Sequence, residues 1–228
     1  MVEVLAFAAA ASSGLLIGSI VGAFWQAPRP LVATALAFAA GSLTAALAFE
    51  LFAEEKHDDV WLAAIGLTAG ATVFILIDAA LERRWPREKA TGFALLAAVT
   101  LDGVPENVAL GVTIAEQGSI ALLAAIFFSN LAESLGGAAD MRKGDDSPSR
   151  VILLWAGVAV LLAGAVIAGR LVGGTGGAHG FLLAFAGGAV LASLADTLMP
   201  EAYREGGPFV AFATAAGFLL SFVLAMND

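Results

Sequence analysis

The stretch LDGVPENVALG, residues 101–111, sets the terms on which the rest of the chain is read. It places two carboxylates, Asp102 and Glu106, one helical turn apart in an otherwise almost wholly apolar segment. Pro105 lies between them, with Gly103 and Asn107 close by. Further along, FSNLAESLGG (residues 128–137) repeats the pattern around Glu133. A charge inside lipid costs about 2.5–3.5 kcal/mol on insertion scales, so it calls for a partner or a function. Facing each other, the two stretches suit a divalent cation passing through a membrane.

Composition points to lipid as the solvent. Hydrophobic residues make up 60% of the chain and charged ones 14%, and the mean hydropathy is +0.89, well outside globular usage. A soluble core cannot hide that much apolar surface in 228 residues. The 26 glycines let helices approach closely. The absence of cysteine excludes disulfides, thiolate metal sites and thiol catalysis. A net charge of −9 argues against nucleic acid as a partner. The start, MVEVLAFAAA, has no basic n-region and reads as a retained first span rather than a signal peptide.

Apolar runs long enough to span the hydrocarbon fall at residues 4–24, 31–52, 61–81, 90–115, 119–141, 151–172, 178–199 and 208–225. The expected fold is therefore an all-α integral membrane protein of eight transmembrane helices, residues 1–228 forming one transporter-like domain. The breaks are turn-like or charged: APRP, EEKHDD, ERRWPREK, EQG, RKGDDSPSR, GGTGG and PEAYREGG. Eight spans put Arg29, Arg83, Arg84, Arg87, Lys89, Arg142, Lys143, Arg150 and Arg204 on one side, and only Lys56 and Arg170 on the other. The basic side is predicted to be cytoplasmic, which leaves both termini outside.

An internal repeat fits the same layout. LAFAAGSLTAALAFELFAE (residues 36–54) aligns without gaps to LAFAGGAVLASLADTLMPE (residues 183–201), pairing Phe38 with Phe185, Gly41 with Gly188 and Glu54 with Glu201. The carboxylate stretches align too, Glu106 with Glu133 and Gly103 with Asn130. Each pair lies on spans that cross in opposite directions, as inverted-repeat transporters do. The competing account is chance likeness among Ala/Leu/Gly-rich helices.

Asp102 and Glu106 share one helix face, and so do Asn130 and Glu133, with Ser129 one turn from Glu133. Pro105 has no N–H for the carbonyl of Leu101, which frees an oxygen and is expected to bend the helix. Opposed faces would offer carboxylates from Asp102, Glu106 and Glu133, with Asn107, Ser129 and Asn130 completing an all-oxygen shell for a hard or borderline dication. The alternative is that the carboxylates are protonated and hydrogen-bond the helices together.

These stretches resemble the fourth and fifth helices of the ZIP family of divalent metal transporters, whose motif is roughly HNxPEGxAxG followed by HNxPEG. Pro105, Glu106, Ala109 and Gly111 match the first copy; Asn130 and Glu133 match the second. The FAAG and FAGG helices, eight spans and outside termini fit as well. The resemblance implies a 3+2+3 inverted-repeat bundle, metal bound by the matching glutamates, the matching asparagine at a neighbouring site, and one helix bundle sliding or rocking against another. It also makes a homodimer an expectation. The chain departs from the motif at Asp102 and Ser129 (for histidine), Gly103 (for asparagine), Ala132 (for proline), and Asn107 and Ser134 (for glycine). Without imidazole the shell is compatible with Mn²⁺, Fe²⁺ or Mg²⁺ at least as well as with zinc.

Glu50 and Asp196, in the two FA(A/G)G helices, are candidates for lining the pathway or carrying a proton, or for reaching water at helix ends. Asp78 and Asp140 read as snorkelling to the interface, His179 as an interfacial residue, and Glu54, Glu55, His57, Asp58 and Asp59 as a solvated acidic loop. Trp25, Trp61, Trp85 and Trp155 are assigned to aromatic belts. The sequence carries no nucleotide motif and no HExxH, and both histidines fall near the outer surface, so neither ATP driving nor an intramembrane enzyme is expected. The expected function is secondary transport of a divalent metal cation in a bacterial or archaeal cell membrane, with no organic cofactor. The alternative is a non-transporting scaffold or sensor derived from the same fold.

Overall fold

The computed structural model describes residues 1–51, 60–84, 92–114, 118–173 and 179–227, with backbone alone at 50, 51 and 92–94. Among the described residues every regular element is helical: α1 (Val2–Phe24), α2 (Arg29–Ala46), α3 (Val60–Arg84), α4 (Gly92–Thr113), α5 (Ile120–Lys143), α6 (Pro148–Gly173), α7 (His179–Ser193), α8 (Met199–Gly206) and α9 (Val210–Ala225). A π-helical turn, Leu47–Leu51, prolongs α2. A second, Leu194–Leu198, joins α7 to α8, so that His179–Gly206 runs on as one helix. Seven helices are long and apolar enough to cross a membrane. The chain is an all-α integral membrane protein. The last predicted span forms α9, which has 16 residues and is shorter than those seven.

Local chemistry sets the helix ends. Chain leaves α1 at Trp25 in an extended conformation ahead of Pro28, and Pro30 enters α2 in its first turn, where no N–H is required. Ser119 caps α5 by accepting the N–H of Leu122 at 2.9 Å. The expected break at 200–207 is helical as far as Gly206. Pro200 sits in the first turn of α8, and the chain turns only at Gly207, whose φ is +68°. Most of the other predicted loops, including Glu54, Glu55, His57, Asp58, Asp59 and Trp85, lie outside the described residues.

The helices associate in pairs through glycine. Gly14, Gly18 and Gly22 of α1 lie against the α5 backbone. Gly41 of α2 meets the backbone of Thr214 on α9, and Gly217 of α9 meets that of Phe38. Gly70 of α3 abuts Phe185 on α7, and Gly188 of α7 abuts Leu67. Gly111 of α4 abuts Val166 on α6, and Gly169 returns the contact at Val108. A side chain at any of these positions would enter a neighbouring backbone. In lipid there is no hydrophobic drive between helices, so such close contact has to supply the attraction. The α2–α9 pair adds a buried Ser42–Ser221 hydroxyl bond of 2.5 Å.

The pairs gather into two groups. One contains α1, α4, α5 and α6, with a core of Leu15, Leu96, Val151, Trp155 and Leu162. The other contains α2, α3, α7, α8 and α9, with α5 contributing Ala132 to a cluster around Leu36 and Val210. Their boundary runs where α4 and α5 face α7 and α2. Outer surfaces are apolar, above all on α3, where only Gly66, Gly70 and Phe74 are buried. Trp25 and Trp61 are exposed, as belt residues are. Trp155 is not: it is fully buried, its indole filling the slot left by Gly137.

Replacing Gly70 by valine should lower thermal stability in detergent by about 1–3 kcal/mol, the usual cost of overpacking. Gly157→Val, where a side chain meets nothing within 4 Å, should leave the melting temperature unchanged.

Candidate functional site

Helix α4 continues through Pro105 and carries Asp102 and Glu106 into the interior, where they are 6% and 2% exposed. Asn107 is fully buried behind them, its amide nitrogen donating to the carbonyl of Gly103 at 2.8 Å. On α5, Ser129 and Asn130 are fully buried and Glu133 is half-buried. The hydroxyl of Ser129 donates to Oε1 of Glu133 at 2.9 Å. The Glu106 carboxylate lies close to the same hydroxyl. Ser129 is therefore the point at which the α4 and α5 carboxylates meet. Glu106 also feels the charge of Asp102, and Glu133 feels both.

Asp102 is held differently. Its Oδ1 accepts a 2.9 Å hydrogen bond from the hydroxyl of Ser193, at the end of α7 in the opposite helix group. Among the described residues no three carboxylate or imidazole side chains converge closely enough to enclose one metal ion. The expected six-residue shell thus appears as parts: Glu106 and Glu133 gathered on Ser129, and Asp102, within electrostatic reach of both, bonded through Oδ1 to α7.

Two amide oxygens stand out. Oδ1 of Asn107 and Oδ1 of Asn130 are buried and accept no hydrogen bond among the described residues. Asn130 spends its nitrogen on the carbonyl of Ala11 in α1, at 3.0 Å, which fixes the orientation of the side chain. Leaving a buried acceptor unsatisfied costs about 1–3 kcal/mol, and native structures contain few of them. An oxygen-lined site for a cation is a setting in which such acceptors make sense.

A cavity of about 450 Å³ reaches Asp102 and Glu133 from one end of the bundle. Among the described residues its acidic lining comprises Asp78, Glu82, Asp102, Glu133, Asp140, Asp196 and Glu201, against a single basic residue, Arg204. Glu106 is not among the residues that line it. Asp196, exposed within the second π turn, lines this cavity. The side chain of Glu50 lies outside the described residues. Asp140 is exposed and pairs with Lys143 at 2.6 Å, as an interfacial residue does, yet it also borders the cavity, together with Asp78. His179 contacts the carbonyl of Gly173 at 3.0 Å and stands apart from these groups.

Sequence reasoning passed over Ser193. Serines in apolar helices commonly bond only their own backbone, so nothing in LASLADTL distinguishes this one.

Because the orphaned oxygen of Asn107 burdens the cation-free protein, Asn107→Leu should raise its thermal stability by about 1 kcal/mol, measured in detergent with chelator present. Against known proteins, no family model and no curated sequence matches this chain.

Proposed function

We propose that this chain is a secondary transporter of a divalent metal cation such as Mn²⁺, Fe²⁺ or Zn²⁺, built like the ZIP family it resembles. The observation that carries the reading is the meeting of Glu106 and Glu133 on one serine hydroxyl, at the inner end of an acid-lined cavity. Carboxylates from two helices, with the amide oxygens of Asn107 and Asn130 unpartnered, form an oxygen-rich donor set for a hard or borderline dication. The acids lining the cavity raise the local cation concentration and draw cations inward.

Two features support the inverted repeat. Shifting residues 47–51 by the offset that aligns Leu36 with Leu183 superposes the first π turn on the second, Leu194–Leu198. Gly41 and Gly188, aligned by the same offset, each press on a neighbouring backbone, Thr214 on α9 and Leu67 on α3. In this layout α9 is the eighth span; at about 1.5 Å per residue it is short for the hydrocarbon core, so the bilayer thins around it. Both termini then lie outside, and the cavity opens on the basic, cytoplasmic side of a bacterial or archaeal cell membrane, near Arg204. The cation passes as one helix group moves against the other. A homodimer is part of the same proposal.

A non-transporting scaffold or sensor is the second reading; the bond that ties Oδ1 of Asp102 to Ser193 favours it. Proteoliposomes loaded with a Mn²⁺-quenched dye separate the two. Wild type should give Mn²⁺ flux, and Glu106→Ala and Glu133→Ala should each reduce it by about tenfold or more, the loss of a charged ligand costing well over 1.4 kcal/mol, while eluting from gel filtration as wild type does. Equal flux in mutants and wild type rejects the site, and no flux of any dication through intact wild type establishes the scaffold.

A further inference from the structure

Ser193 belongs to the helix group that carries none of the metal-site carboxylates, yet its hydroxyl is 1% exposed and bonded to one of them. One turn further on, Thr197 lies in the π turn and lines the cavity. Counting protons shows how these groups are related. Thr197 donates its hydroxyl proton to the backbone carbonyl of Ser193 at 2.6 Å. Its oxygen lies 3.2 Å from Oγ of Ser193 and can serve that hydroxyl only as an acceptor. Ser193 has one proton to give. It can be directed to Asp102 Oδ1, at 2.9 Å, or to Thr197 Oγ1, at 3.2 Å.

We propose that Ser193 is a positioning residue for the cation site, holding Oδ1 of Asp102 in a bond to α7 and releasing it when its hydroxyl turns to the acceptor kept ready on Thr197. The proposal rests on the transport reading and adds to it. Capture of a dication through Oδ1 of Asp102 breaks a bond that crosses the boundary between the helix groups. Occupancy of the site and contact between the groups are coupled at this one hydroxyl. Ser193 weakens binding, because the bond has to be given up, and Thr197 strengthens it, because it offers the serine another partner.

The two residues therefore act in opposite directions, which a merely structural role does not. The test is Mn²⁺ binding to the purified full-length chain in detergent, followed by the loss of the free-ion electron paramagnetic resonance signal. Ser193→Ala should bind Mn²⁺ about tenfold tighter, the scale of one hydrogen bond to a charged group. Thr197→Val should bind about threefold weaker, the scale of one neutral hydrogen bond. Ser193→Thr returns the hydroxyl and should return the wild-type affinity; it also serves if the alanine variant does not fold. Opposite shifts with rescue support the proposal. Shifts in the same direction, or no shift, overturn it while leaving the transport reading intact, provided Glu106→Gln abolishes binding. Equal binding by wild type and Glu106→Gln overturns both.

Discussion

Lipid offers a helix neither hydrogen bonds for its polar groups nor a hydrophobic reason to join its neighbour, and this constraint governs the whole molecule. The attraction between helices has to come from contact, and the chain provides it by placing glycine where two backbones touch. Gly41 against Thr214, Gly70 against Phe185 and Gly111 against Val166 are one solution used in three places. The pairing follows from where the glycines lie, and the pairs in turn decide which faces are left to meet at the centre.

Apolar side chains of both groups fill much of that central boundary, and a set of polar ones lies among them. Asp102, Glu106, Asn107, Ser129 and Asn130 are all buried on α4 and α5, the helices that face the other group. Groups so costly to remove from water are gathered at the boundary between two packed bodies, where a cavity admits solvent and a partner can be reached from either side. Within the α1–α5 and α4–α6 pairs, glycines bring the two backbones into contact. The placement concentrates electrostatic energy on the surface where the two groups meet.

The fold was largely legible because its signals are long and redundant. Seven predicted spans became membrane-length helices, since some twenty apolar residues have few other options in 228. Pro200 misled because proline is tolerated in a first helical turn, and the polar character of PEAYREGG marks a helix reaching water as readily as a loop. Trp155 misled because tryptophan near a span end usually means an interface; the slot opened by Gly137 lies on another helix and cannot be read from local sequence. At the site, spacing placed Asp102 with Glu106 and Ser129 with Glu133 on shared faces. It gave no hint that Ser193, far along the chain, would take Asp102. Contacts within one helix follow from periodicity, whereas those between groups depend on packing.

The proposed inverted repeat gives that last contact a further meaning. Under the alignment that superposes the π turns, Ser193 corresponds to Ala46, and under the one that superposes Glu106 on Glu133, Asp102 corresponds to Ser129. The counterpart of the bonded pair Ser193–Asp102 is therefore Ala46 with Ser129, a methyl and a hydroxyl, which cannot form such a bond. An inverted repeat allows two related arrangements of the helix groups, each the approximate mirror of the other in topology. In this structure α4 meets α7 and α5 meets α2 at the same time, and of these two related contacts the first carries a hydrogen bond to a carboxylate, from Ser193 to Asp102. Under the transport proposal, a dication that draws Oδ1 of Asp102 into its shell takes that bond away from the α4–α7 contact. Under the same proposal, the difference between Ser193 and Ala46 gives the two repeats unequal holds on the cation site.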